Sequence, residues 1–246
     1  HLLFTNNIHG AIHEVPARFI NPEFSPILAG GAGAFTYASK LRKEAKLKKD
    51  FVMLTDAGNI FQGSQLGTYD GGSNIIKWMN WMAYDALVPG VRDFDQGVNN
   101  LSHLATKANF PFLASNLEGV DGIEDYKIIN ANGVKIGLIG LITPFISEGL
   151  LPEYYEGVSV SDLMKTLGTQ IEKIRNEVDL IFVLSHLGIP YDREDEYDDF
   201  IKDIEQGVER PIRNAIELAH FTDEVDVILT GGVSKGYDTP WVDPTN

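Results

Sequence analysis

The chain of 246 residues contains no cysteine. That absence excludes disulfides, thiolate metal sites and thiol nucleophiles together, and leaves the redox compartment open. No apolar run approaches the ~20 residues of a membrane-spanning helix, so no membrane span is expected. Basic residues are scarce: 20 Lys and Arg stand against 35 Asp and Glu, a formal net charge of −15. Such a balance repels nucleic-acid backbones and anionic membrane surfaces, so a nucleic acid polymer is not an expected partner. It leaves room for a phosphate ligand, because a locally positive pocket can sit inside an acidic surface. An initiator Met is missing too. The sequence starts at His1 inside what reads as a strand, which fits removal of a signal peptide and equally an arbitrary boundary.

Hydrophobic residues make up 43% and charged residues 22%, ordinary values for a globular chain with a full core, and the length suits one large α/β domain. The pattern is strand, polar loop, helix, repeated. Strands are expected at Leu2–Phe4, Phe51–Leu54, Ala86–Val88, Phe112–Ala114, Leu180–Leu184 and Val225–Leu229. A hairpin is expected with arms Tyr126–Asn130 and Val134–Ile142, joined at Asn132–Gly133. Helices are expected from near Gly33 to Lys49, through Ile75–Met82, over Ser161–Asn176 with Ser161 as N-cap, and over Arg210–Phe221 with Pro211 in the first turn. The acidic stretch Tyr191–Glu209 reads as a surface insertion or an irregular cap over one rim. No repeat, low-complexity tract or Pro/Ser linker interrupts the chain.

Each buried strand is followed at its carboxyl end by a loop rich in Asn, Asp, His, Gly or Arg, and ligand sites of open α/β sheets lie at those ends. The loops read Asn7–Ile8–His9–Gly10; Asp56–Ala57–Gly58–Asn59 with Phe61–Gln62–Gly63; Gly90–Val91–Arg92–Asp93–Phe94–Asp95; Ser185–His186–Leu187–Gly188; and Gly231–Gly232–Val233–Ser234–Lys235. In this order they resemble the motifs of the calcineurin-like metallophosphoesterase family, 5′-nucleotidase branch. There the motifs read Asp-x-His-Gly, Asp-Ala-Gly-Asp with Phe-Gln-Gly, Gly-Asn-His-Glu-Phe-Asp, Ser-His-Leu-Gly and Gly-Gly-His-Ser-His. Tyr84–Asp85–Ala86 and Gly140–Leu141–Ile142–Thr143–Pro144 also sit where the family has them. The resemblance spans essentially the whole chain. It implies a single α/β domain over residues 1–246, a metallophosphoesterase-like four-layer sandwich of two packed mixed β-sheets flanked by helices. The family's metal domain runs a few strands beyond its Gly-Gly motif, so a C-terminal truncation is expected. The nucleotide-binding C-terminal domain of intact 5′-nucleotidases is not expected within these 246 residues.

The resemblance also implies a metal-dependent phosphoric monoester hydrolase of nucleotide catabolism. In such enzymes two divalent ions (Mn, Zn or Co), about 3.5–4 Å apart, polarise the phosphoryl group and generate the attacking hydroxide. A carboxylate bridges them because adjacent dications repel. At the implied ligand positions this sequence retains His9 and His186 but carries Asn7, Asn59, Val91, Val233 and Lys235. The bridging position is the neutral Asn59. The implied catalytic dyad is Arg92, where the family has His, with Asp93. Two imidazoles and two amides hold one ion weakly at most, so no cofactor is expected.

Two dications and two ligand aspartates leave about +2 in an intact site, and Arg92 with Lys235 restores about +2 here. These two cations are therefore candidates for binding a phosphate-containing or other anionic small molecule without hydrolysing it. Plainer readings stand beside these. His9 and His186 can be remnants bonded to loop backbone, Asn7, Asn59 and Asp56 can be turn-formers, and Val91 and Val233 can be apolar plugs. Asp93 can pair with Arg92 or accept backbone N–H groups, and Arg92 and Lys235 can face solvent. Trp78 and Trp81 suit core or interface, and the Asn100–Leu101–Ser102 sequon is a short pattern common by chance. Three functional classes remain: a pseudoenzyme that binds an anionic ligand or a protein partner, which the ligand losses favour; an active nucleotidase-like hydrolase with an unusual metal site; and a structural module of an exported or surface protein. A C-terminal domain is a further candidate partner. Family members are mostly exported, to the periplasm, the cell surface or outside, and export is expected here.

Overall fold

The computed structural model describes residues 1–232, 237 and 239–244. Val233 and Lys235 lie outside the described residues. In the first half, short apolar runs form β1 (Leu2–Thr5), β2 (Met53–Asp56), β3 (Ala86–Leu87), β4 (Phe112–Leu113) and β5 (Ile123–Glu124). They pair in that order as one sheet, every pairing parallel. Parallel neighbours need crossovers, and α1 (Gly30–Lys48), α2 (Ser73–Met82) and α3 (Val98–Lys107) supply them between the first four strands. The second sheet has β6 (Tyr126–Ala131) and β7 (Val134–Ile142) as the expected hairpin. Asn132 and Gly133 at its turn have φ of 56° and 106°, the left-handed backbone that two-residue hairpin loops favour. With β8 (Leu180–His186) and β9 (Val227–Thr230) the order is β9-β8-β7-β6, parallel except at the hairpin. Only this second sheet is mixed. The first is wholly parallel because every one of its connections is a crossover.

Side chains alternate across each strand, so each sheet can bury both faces. Ile136 and Leu138 of β7 turn inward with Phe182 and Leu184 of β8, against Met53, Ala86 and Leu113 of the first sheet. Ile139 and Leu141 turn outward to Leu163, Leu167, Ile171 and Ile174 of α4 (Leu163–Ile174), the crossover between β7 and β8. On the far side, Leu54, Leu87 and Phe112 meet Ile75, Met79, Leu101 and Leu104 of α2 and α3. The result is the expected helix–sheet–sheet–helix sandwich. Each fully buried Leu, Ile or Phe contributes roughly 1.5–3 kcal/mol.

The sheets approach closely at Gly140. A Cβ built there would lie 2.3 Å from the Leu113 carbonyl carbon and oxygen. The Ser115 N–H donates to the Gly140 carbonyl at 2.9 Å, so main chain itself links the layers.

Three local expectations are corrected. α4 begins two residues after Ser161, because the Asp162 carboxylate accepts the Lys165 N–H at 2.8 Å and caps the helix instead. The helix expected over Arg210–Phe221 is only α6 (Ala215–His220), with Pro211 outside it; the Asn214 side chain accepts the Ile216 and Glu217 N–H groups and starts it there. Tyr191–Glu209 is no irregular cap but contains α5 (Arg193–Glu205). Glu194, Asp195 and Glu196 suit its N-terminal turn, and Tyr197 and Phe200 bury against Ile216. Trp78 is partly buried against the core, whereas Trp81 is 75% exposed.

The close approach at Gly140 makes a direct prediction. Gly140→Val should lower the unfolding free energy by about 1–3 kcal/mol or more through overpacking. Gly168→Ala, in α4 where an added Cβ meets nothing within 4 Å, should leave it unchanged or raise it by up to about 1 kcal/mol. Urea unfolding of both variants checks the contrast.

Candidate active site at the carboxyl edge of the sheets

Four of the motif loops, and Gly231 and Gly232 of the fifth, converge at the carboxyl ends of β1, β2, β3, β8 and β9. Beyond the strands the ladder between the first two loops continues: Asn7 N–H donates to the Gly58 carbonyl (2.9 Å), His9 to Asn59 (2.9 Å) and Gly10 to Ile60 (2.8 Å). Asn7, His9 and Asn59 all take left-handed backbone, with φ of 50°, 49° and 60°. Asn tolerates that region better than most residues, since its amide bonds locally. Gly58, with φ of 88°, lies so near the third loop that a Cβ would stand 2.3 Å from the Gly90 nitrogen.

Asp93 fastens these loops. Its buried carboxylate accepts the N–H groups of Asn59, Ile60 and Gly90, each at 2.8 Å. Burial pushes the carboxyl up to about 6, and the three N–H donors and the neighbouring His9 hold it from rising further. The expected Arg92–Asp93 dyad is therefore not the pair that forms. Arg92 turns the other way: its Nη1 lies 3.7 Å from Asp95 Oδ1 and donates to the Gly149 carbonyl at 3.2 Å. Residues 91–94 are a single turn of 3-10 helix, on which positions three apart share a face and adjacent ones do not. That spacing was the available signal for Asp95, which sequence reasoning passed over.

Asn7 and Asn59, at two of the expected ligand positions, bond to each other. Asn59 Nδ2 donates to Asn7 Oδ1 at 2.9 Å, and Asn59 Oδ1 accepts the Arg92 backbone N–H at 2.9 Å. Flipping the amide would set Nδ2 against that N–H, so the network fixes its orientation. Both ends of the side chain at the bridging position are thus engaged by protein.

His9 and His186 both bond loop carbonyls, as their plainer reading has it. His9 Nδ1 meets the Gln62 carbonyl at 2.6 Å, and His186 Nδ1 meets that of Ala57 at 2.5 Å, joining the second sheet to the first. Carbonyls only accept, so Nδ1 carries hydrogen on each ring and Nε2 is left as the lone-pair nitrogen of the neutral form. Burial, with His9 nearby, pushes His186 below its ordinary value of 6.5 against the raising effect of the Ala57 bond. Val91 packs into the apolar cluster of the first sheet, and a Cβ on Gly149 would lie 2.9 Å from its Cγ1. Two imidazoles, an amide pair bonded to itself and a guanidinium do not fit a pair of adjacent dications. Among the described residues no group of three or more His, Asp or Glu side chains could hold a metal ion.

Asp56 is more than a turn-former. It accepts the Gly58 N–H at 2.7 Å and the Thr5 hydroxyl at 2.6 Å, and Thr5 Oγ1 lies 2.9 Å from the Tyr84 hydroxyl. Full burial pushes its carboxyl up to about 8, with the Asp93 charge adding to the rise and the two bonds opposing it. Asn100 of the sequon lies on α3 and spends its Nδ2 on the Gly71 carbonyl at 2.9 Å. Beside Arg92 a pocket of about 380 Å³ opens, lined by Gln62, Thr68, Asp95, Gln96, Leu151 and Tyr154 among others.

This architecture, with its site at the carboxyl edge, is the calcineurin-like phosphoesterase class. A calcineurin-like phosphoesterase from Bacillus subtilis superposes with a TM-score of 0.69 over 94% of this chain and 71% of its own, at 24% identity. The chain belongs to the 5′-nucleotidase branch of that family. It is 30% identical to the snake venom 5′-nucleotidase of Crotalus adamanteus over 78% of this chain and 33% of the relative. It is 26% identical to the 5′-nucleotidase of Vibrio vulnificus (strain CMCP6) over 95% of this chain and 40% of the relative. The chain spans about a third of the length of the first curated relatives it matches, their N-terminal domain. No protein-family model matches it. No helix among the described residues is long and apolar enough to cross a membrane.

The buried Asp56 carboxyl sets a pH dependence. Its folded value of about 8 stands above the ordinary 3.8, so its stabilising contribution is full below about 4 and is lost as pH rises through 8. Asp56→Asn, which mimics the neutral acid, should match the wild type near pH 4.5. It should exceed the wild type by on the order of a few kcal/mol near pH 9, read from denaturant unfolding at the two pH values.

Proposed function

We propose that this protein is a 5′-nucleotidase-like metallophosphoesterase domain that has lost dinuclear metal catalysis and acts as a pseudoenzyme, binding an anionic ligand or a protein partner. The observation that carries the reading is the Asn59 amide. At the position where a carboxylate would bridge two dications, both ends of a neutral side chain are engaged, one by Asn7 and one by the Arg92 backbone. Val91 fills with methyl groups the place of a donor. In this reading Arg92 supplies the cationic contact to the ligand, with Lys235, outside the described residues, as its proposed partner. An oxyanion bound there meets a guanidinium but no activated water, so it is held and released unchanged. Export is part of the proposal, supported by relatives such as the snake venom enzyme.

A second reading, a hydrolase with one ion, is favoured by one observation. A carbonyl pins Nδ1 on both His9 and His186, as in metal-ligating imidazoles, leaving Nε2 for an ion. The two readings part in a single assay. With AMP or p-nitrophenyl phosphate and added Mn²⁺, Co²⁺ or Zn²⁺, the pseudoenzyme releases phosphate at the buffer rate. It binds inorganic phosphate in calorimetry, and Arg92→Ala weakens that binding about tenfold or more. Turnover that disappears in His9→Ala would establish the one-ion hydrolase instead.

A further inference from the structure

We infer that the pocket beside Arg92 is a subsite for an oxyanion carrying a compact apolar group, with the charge held by Arg92 and the apolar group by Leu150, Leu151 and Tyr154. The inference rests on the anion-binding reading above and adds to it the class of ligand.

The pocket has two unlike walls. One is polar: Arg92, Gln62, Gln96 and Thr68, with Asp95 beside the guanidinium. The other is apolar, built by the segment after the short helix Ile146–Gly149, where Leu151 stands 57% exposed next to Leu150 and the half-buried Tyr154. At about 380 Å³ it falls in the size range of small-molecule sites. Arg92 joins the walls. Its Nη1 bonds the Gly149 carbonyl at 3.2 Å, which fixes the guanidinium against the first residue of the apolar wall. Among the described residues its Nε and Nη2 donate no hydrogen bond, and its side chain is 49% exposed. A rigid fork with unused donors suits a phosphate or carboxylate oxygen.

The charge balance decides the class. Asp95 Oδ1, 3.7 Å from Nη1, neutralises part of the guanidinium's attraction for an anion. A bare ion such as inorganic phosphate is therefore held by the guanidinium alone, and weakly. An oxyanion with an apolar substituent gains burial against Leu151 and Tyr154 in addition, as amphiphilic ligands do in sites with one polar and one apolar wall. An unsubstituted sugar phosphate places hydroxyls on the apolar wall and is disfavoured.

The test is calorimetric titration of the whole chain with phenyl phosphate and with inorganic phosphate. The wild type should bind phenyl phosphate about tenfold or more tightly than inorganic phosphate, the gain expected from burying much of one ring. Leu151→Ser and Tyr154→Ala, each an uncharged change on a surface segment, should lower the affinity for phenyl phosphate toward that for inorganic phosphate and so erase the preference. Arg92→Ala should weaken both anions. Equal affinity of the wild type for the two anions, or a preference that survives both Leu151→Ser and Tyr154→Ala, overturns the subsite while leaving the anion reading intact. Binding of neither anion overturns both. Circular dichroism of each variant confirms that the fold is retained, and the two independent wall variants keep the test decisive if one fails to fold.

Discussion

Asp93 sits where the first, second and third motif loops meet, and its carboxylate is the acceptor for three backbone N–H groups that would otherwise be buried without partners. Burying a charge costs several kcal/mol, and three charge-assisted bonds are what offset it. The geometry that follows is specific. With the Asn59 and Ile60 N–H groups held by one carboxylate, Asn59 is locked in left-handed backbone, and its side chain is thrown across to Asn7. The Gly90 N–H, bonded to the same carboxylate, brings the 3-10 turn into contact with Gly58 and aims Arg92 outward. Loop shape, amide pairing and the direction of Arg92 all depend on that acid.

The site edge is tied together by hydrogen bonds between its own residues. Two carboxylates flanking a vacant centre would repel, and each would need a counter-charge. Asn7 and Asn59 turn that repulsion into a hydrogen bond at the cost of no net charge. On the opposite wall, His186 donates to the Ala57 carbonyl and crosses from the second sheet to the first, a role that a neutral imidazole fills as well as a metal-bound one. Hydrogen bonds between side chains and loop backbone thus tie together the frame that presents these loops. Its stability is tied to Asp93 and Asp56, two buried carboxyls, of which Asp56 has its proton affinity raised by burial and further by the Asp93 charge.

Much of this was legible in the sequence because it lies in residue types with one dominant use. Asn132–Gly133 announced its hairpin, apolar runs of three to five residues announced the other strands except Ile123–Glu124, and the order of the five loops announced the edge at which they lie. What was illegible has physical causes. α5 carries its apolar residues Tyr197, Phe200, Ile201 and Ile204 at helical spacing, but the surrounding acids hid the stripe. The end of the chain before α6 was misread because Asn214, not Pro211, holds the first turn. Asp93 and Asp95 are two residues apart, and only the turn type decides which of them faces Arg92. The mutual bond of Asn7 and Asn59 depends on a backbone conformation that composition does not encode. Val233 and Lys235 remain expectations from the motif, since both lie outside the described residues.

The central claim is that this edge no longer assembles a metal centre, and metal stoichiometry tests it most directly. The chain would be equilibrated with Mn²⁺, Co²⁺ and Zn²⁺ in turn, freed of unbound ion by gel filtration, and analysed by plasma mass spectrometry. The account predicts occupancy near zero for each metal, unchanged by His9→Ala. Two ions per chain, lost on substituting His9 or His186, would contradict it and return the site to the dinuclear phosphoesterases.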